Sequence, residues 1–182
     1  LKNGDFVVTW ESNYQDTTSS DYGIYGQRFD TNGSPKGDEF RVHTQITGSQ
    51  VDPSVTALDN GGFVVTWETD SQDGTYEDIH GQLYNAKGEA EGNEFVVNTN
   101  SASTTYRYDP SVTGLDGGGF VVTWEDSGQI YAQVYASGGS PEGSNFDLSD
   151  SSSNYLPSVA SLDGGGFVVT WQNQTSVSGH TG

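Results

Sequence analysis

The chain alternates short apolar runs with polar, glycine-rich breaks, and no stretch of ten residues shows helical periodicity. The clearest run is Phe-Val-Val-Thr-Trp, which occurs four times: Phe6 to Trp10, Phe63 to Trp67, Phe120 to Trp124 and Phe167 to Trp171. Its β-branched and aromatic residues predict a strand with Phe, the second Val and Trp on one face. The copies start at 6, 63, 120 and 167, so they are 57, 57 and 47 residues apart, and all four tryptophans occupy this one position.

Three further strings recur with it. Pro53-Ser54-Val55, Pro110-Ser111-Val112 and Pro157-Ser158-Val159 precede it. Gly23 to Gln27, Asp78 to Gln82 and Gln129 to Gln133 follow, and Glu39 to Val42, Glu94 to Val97 and Asn145 to Leu148 close the unit. Turn signals separate the strings: Asp59-Asn60-Gly61-Gly62, Asp116-Gly117-Gly118 and Asp163-Gly164-Gly165 between strands one and two, and Asn32-Gly33, Lys87-Gly88 and Gly138-Gly139 between strands three and four. Asn-Gly and Asp-Gly supply the positive φ that tight hairpins need. Four antiparallel strands about every 50 residues, with a large aromatic fixed in strand two, predict an all-β, propeller-like array of blades. Serial β-sandwiches or a β-solenoid are the alternative. The predicted division is a partial blade over 1–51 (strands two to four), blades over 52–108 and 109–156, and a partial blade over 157–182 (strands one and two), thirteen strands in all. Three blades and a fraction do not close a ring, so the expectation is that more blades, or a second copy, complete it. Small residues in mid-strand three, Gly26, Gly81 and Ala132, predict close approach of another sheet.

Composition narrows the functional classes. Cysteine is absent, which removes disulfides, zinc-thiolate sites and cysteine nucleophiles. Twelve per cent aromatic residues argue against disorder. The net charge of −19 repels phosphate backbones and anionic lipid, so no nucleic acid and no membrane insertion are expected, and cations are favoured.

Taken together, Asp-Pro-Ser-Val, Gly-Gly-Phe-Val-Val-Thr-Trp, Ile-Tyr-Gly-Gln-Arg-Phe-Asp and Glu-Phe-Arg-Val resemble the roughly 50-residue repeats of very large secreted bacterial surface proteins. The resemblance covers essentially the whole chain. It implies an extracellular, calcium-rich setting and a part in adhesion or surface structure, with other copies, further blades or surface glycans as partners. The Gly-Gly-x-Gly-x-Asp nonapeptide of RTX calcium rolls, which often accompany such repeats, is absent, so a calcium role has to rest on other residues.

The acidic loop between strands two and three offers them. Calcium takes six to eight hard oxygen ligands, and Asp16 and Asp21 in the first unit and Asp70, Asp73, Glu77 and Asp78 in the second are the candidate metal ligands. Asp59, Asp116 and Asp163 read as caps of their own turns, and Asp52 and Asp109 as residues that open strands. The repeated Trp reads as packing between blades, whereas the loop aromatics Tyr22, Tyr76, Tyr106 and Tyr108 are candidate ligand-binding residues. His80, which stands where other units have Tyr25 and Tyr131, reads as an exposed substitution. No nucleophile elbow, phosphate loop or zinc-protease signature occurs. The expectation is therefore a non-catalytic extracellular adhesion module stabilised by calcium. A carbohydrate-binding module is the alternative, with a propeller-type glycoside hydrolase behind it.

Overall fold

The computed structural model describes residues 1–15, 21–46, 48–70, 77–99, 105–150 and 153–174. It holds a β-propeller-like array of four antiparallel sheets. The first blade comprises β1 (Phe6–Asn13), β2 (Tyr22–Phe29) and β3 (Phe40–Arg41). The second comprises β4 (Gln50–Ala57), β5 (Phe63–Thr69), β6 (Asp78–Tyr84) and β7 (Ala90–Val96). The third comprises β8 (Arg107–Gly114), β9 (Phe120–Asp126), β10 (Gln129–Tyr135) and β11 (Phe146–Asp147), and the fourth β12 (Asn154–Ser161) and β13 (Phe167–Asn173). Strands within each sheet pair in sequence order, as a meander.

The core lies between blades. Phe63, Val65 and Trp67 of β5 pack with Ile24 and Val42 of the first blade. Phe120, Val122 and Trp124 of β9 repeat this against Val64, Ile79 and Val97 of the second. The period-two alternation of the strand thus sends one face to each neighbouring blade. Phenol groups stitch the same joints: Tyr84 donates to the Val42 carbonyl (3.2 Å) and Tyr135 to the Val97 carbonyl (3.4 Å).

The innermost strands β4, β8 and β12 lie side by side along a common axis. Their contacts also repeat. The Val112 N–H donates to Ser54 Oγ and the Val159 N–H to Ser111 Oγ, both at 3.2 Å. The serines of the first two Pro-Ser-Val strings therefore each bond the next inner strand. Asp59 behaves similarly and departs from expectation. Its Oδ2 accepts the Gly117 N–H of the next blade (3.1 Å) instead of capping its own turn, where Asn60 Oδ1 accepts the Gly62 N–H.

The small residues of strand three have a different cause from the one predicted. A Cβ on Gly81 would sit 2.7 Å from the Phe95 ring, and one on Gly26 2.8 Å from the Phe40 ring. The obstacle is the strand-four phenylalanine of the same sheet, directly opposite in register, and not a neighbouring blade.

Candidate axial carboxylate site

Each inner strand carries a bulge near its start. Asp52, Asp109 and Leu156 have φ of 51°, 55° and 52°, and each is followed by proline. Proline bars the α region for the residue before it, and a non-glycine side chain at positive φ is strained by roughly 1–3 kcal/mol. The pairing register slips at the same three places, between Val51 and Ser54, Tyr108 and Ser111, and Tyr155 and Ser158. Such bulges re-aim side chains. Here they surround a cavity of about 290 Å³ on the axis, lined by Asp52 to Ser54, Asp109 to Ser111, Leu156 and Pro157.

Two further carboxyl groups arrive from strand two. The residue after each repeated Trp is Glu68 in β5 and Glu125 in β9, and both are buried, at 8% and 7% exposure. Burial, reinforced by the charges of Asp52, Asp109 and Glu77, pushes Glu68 up to about 8, although the Asp109 N–H hydrogen-bonds to it. Asp109 is raised by burial and by Asp52, while accepting the Leu156 N–H. Asp109 and Leu156 thus each turn their amide to a carboxyl group of the preceding blade. Glu125 is also raised, chiefly by burial, and its Oε1 accepts the Gly128 N–H at 3.1 Å. At neutral pH this mouth therefore holds Glu68 as a carboxylic acid, beside the exposed side chain of Asp52. That combination can both give a proton and stabilise positive charge.

Beside the cavity runs Tyr106-Arg107-Tyr108. Arg107 is 3% exposed and donates to Asp78 Oδ1 (3.0 Å) and Asp126 Oδ2 (3.2 Å). The two tyrosine rings stack, with centroids 6.1 Å apart and planes 6° apart. Tyr108 lies opposite Glu125 in register, and burial together with the charges of Glu77, Glu68 and Glu125 raises its phenol.

The predicted site residues are placed as follows. Asp16, Asp73 and Tyr76 lie outside the described residues. Tyr22 is exposed at the start of β2, and its N–H donates to Ser49 Oγ at 3.4 Å, next to half-buried Asp21. Asp70 is exposed, with its N–H on the Ser49 carbonyl. Asp78 accepts from Arg107 and from Asn98 (2.7 Å), which commits its Oδ1 to the joint between the second and third blades. Glu77 faces the axial group, where its charge acts on Glu68 and Tyr108. Among the described residues, no group of three or more His, Asp or Glu side chains is gathered to hold a metal ion. Asp52 and Asp109 were read as strand-opening residues and instead line the cavity. The signal available was their Asp-Pro pair on the innermost strand of a blade. His80 was read as exposed and is instead buried. Its Nδ1 lies 2.9 Å from Glu94 Oε1, whose partner oxygen accepts from the Thr44 N–H and hydroxyl.

The fold and site together define a propeller-like protein with carboxyl groups gathered at one mouth of its axis. No protein-family model matches the sequence, and no curated protein matches it. Solved structures do. A thermostable family-43 glycoside hydrolase superimposes with a TM-score of 0.56 at 14% identity, over 87% of this chain and 58% of that one. An endo-arabinase from Bacteroides thetaiotaomicron superimposes with a TM-score of 0.55 at 17% identity, over 92% of this chain and 66% of that one. The chain thus spans less than two thirds of either. At these identities the likeness establishes the fold. The expectation of a non-catalytic adhesion module is corrected on this point: both of these neighbours are glycoside hydrolases, which favours the alternative placed last above.

Proposed function

We propose that the axial mouth is the active site of a propeller-type glycoside hydrolase. The observation that carries this is Glu68, buried and keeping its proton to about pH 8, hydrogen-bonded by the Asp109 amide and within the field of Asp52 and Asp109, which line the solvent-open cavity. Hydrolysis of a glycosidic bond needs one carboxylic acid to protonate the departing oxygen and one carboxylate to assist attack at the anomeric carbon. Glu68 takes the first role. Asp52, exposed in the cavity, takes the second. Asp109 sits beside both and keeps the Glu68 proton in place through its charge. The name of one of the two solved structures, an endo-arabinase, makes arabinose-containing polysaccharide the first substrate to try. An extracellular setting, as the repeat resemblance implies, suits a polymer too large to enter a cell.

The test is reducing-sugar release from a polysaccharide panel by the wild type, Glu68→Gln and Asp52→Asn. Each substitution is expected to lower kcat by about 10²- to 10⁴-fold while the melting temperature stays near the wild type's. Wild-type activity should fall as pH rises through about 8, because the acid loses its proton there. Full activity in Glu68→Gln overturns the assignment.

A further inference from the structure

In a repeat protein, positions that hold the fold recur in every unit, so a departure confined to one unit at a functional mouth calls for its own explanation. Tyr106-Arg107-Tyr108 is such a departure. Register places Arg107 and Tyr108 opposite Asp126 and Glu125, Gln50 and Val51 opposite Thr69 and Glu68, and Asn154 and Tyr155 opposite Asn173 and Gln172. The positions matching Tyr106 are Ser49 and Ser153. The pair of stacked rings therefore occurs in one blade among the described residues.

Its construction is that of a braced surface. Alternation along the strand sends Arg107 inward, where two carboxylates hold it, and leaves Tyr106 and Tyr108 together on the other side. Tyr106 is 48% exposed, so a ring face is open to solvent. The positive φ of Asp109, the next residue, brings this face and the cavity into one field: Glu68 and Glu125 act on Tyr108 and are themselves acted on by Asp109.

The geometry points to Tyr106, supported by Tyr108 and positioned by Arg107, as a stacking subsite for a neutral sugar residue of a chain whose neighbouring residue enters the axial cavity. An aromatic face carries partial negative charge and attracts the polarised C–H groups on the apolar side of a sugar ring. The acidic mouth and the net charge of −19 set the class: a uronate bears the charge already crowded there, a neutral pyranose or furanose does not. This subsite rests on the hydrolytic reading for its position beside the reacting bond, but it binds by itself.

Two measurements separate them. Calorimetric titration of neutral arabino-, xylo- and cello-oligosaccharides, against oligogalacturonate, reads binding in the wild type, Tyr106→Ala and Tyr106→Phe. Hydrolysis of the best ligand reads KM and kcat. Expected are binding of a neutral oligosaccharide with none of the uronate, an affinity about tenfold weaker and a KM about tenfold higher in Tyr106→Ala at little-changed kcat, and recovery in Tyr106→Phe, which keeps the ring. Binding lost in Tyr106→Ala without hydrolysis by the wild type upholds the subsite and overturns the hydrolase. Hydrolysis with unaltered KM and affinity in Tyr106→Ala overturns the subsite alone. Preference for the uronate, or no binding of any neutral chain at millimolar concentration, also overturns it.

Discussion

Glu68 takes up a proton when the chain folds, and that has a consequence for stability as well as for chemistry. The unfolded chain ionises this side chain near its ordinary value of 4.5, whereas the folded site keeps the proton to about 8. The folded state binds more protons across that interval, so stability falls as pH rises through it and levels off above. Glu68→Gln removes this contribution, and its melting temperature should decline less than the wild type's between pH 5 and 8. Parallel curves would place the proton elsewhere. Another residue-scale device sits at the end of strand four. His43 Nδ1, Asn98 Oδ1 and Ser149 Oγ accept the N–H of Ile24, Ile79 and Ile130, at 3.0, 2.8 and 3.1 Å, so three residue types perform one task. His43→Asn should fold with near-native stability by denaturant titration. His43→Ala, which leaves a buried N–H without this acceptor, should lose about 1–3 kcal/mol.

The strand that follows each turn explains why the blades cohere. Trp67 and Trp124 are fully buried between sheets, while Trp171 of β13 is 37% exposed. Truncation to Ala should therefore cost about 3–5 kcal/mol at Trp124 and much less at Trp171, read as the shift in denaturant midpoint. Equal costs would mean that the tryptophan acts within its own sheet. These strands were legible in the sequence because burial on both faces demands an unbroken apolar run. The inner strands were less so. Asp52, Asp109 and Leu156 occupy positive φ where only the paired register reveals it, and a bulge leaves no mark in an apolar-polar pattern. The pairing of His80 with Glu94 was hidden for a similar reason. It joins adjacent strands, β6 and β7, across 14 residues whose register shifts between Gly81 and Leu83.

The molecule as a whole carries 25 acidic against 6 basic residues. Self-repulsion among them opposes compaction, and added salt shortens its range to about 10 Å at 0.1 M. Melting temperature should accordingly rise as sodium chloride is added from low ionic strength, most steeply at pH above 8, where Glu68 is also ionised. A flat response would mean that the charges are already spaced beyond mutual reach. The architecture at this scale was readable from spacing alone, since four copies of one string leave few ways to arrange the sheets. The axial mouth was not, because its members come from Asp52, Glu68, Asp109 and Glu125, which lie in two blades and meet only when the inner strands stand side by side.

The serine joints along the axis have a further meaning. Ser54 and Ser111 make the same bond to the next strand at the same length, whatever side chains stand at the strand's opening. The joint is thus a standard coupling, and the segment ahead of it is interchangeable hardware. Residues 105–109 grafted in place of 48–52, together with Thr69→Asp and Gly23→Asp to receive the incoming guanidinium, would carry a second aromatic shelf to the neighbouring blade, with Asp52 already matching Asp109 at the splice. Chains with rearranged shelves could be built in this way on one unaltered frame, each gripping a differently shaped polymer.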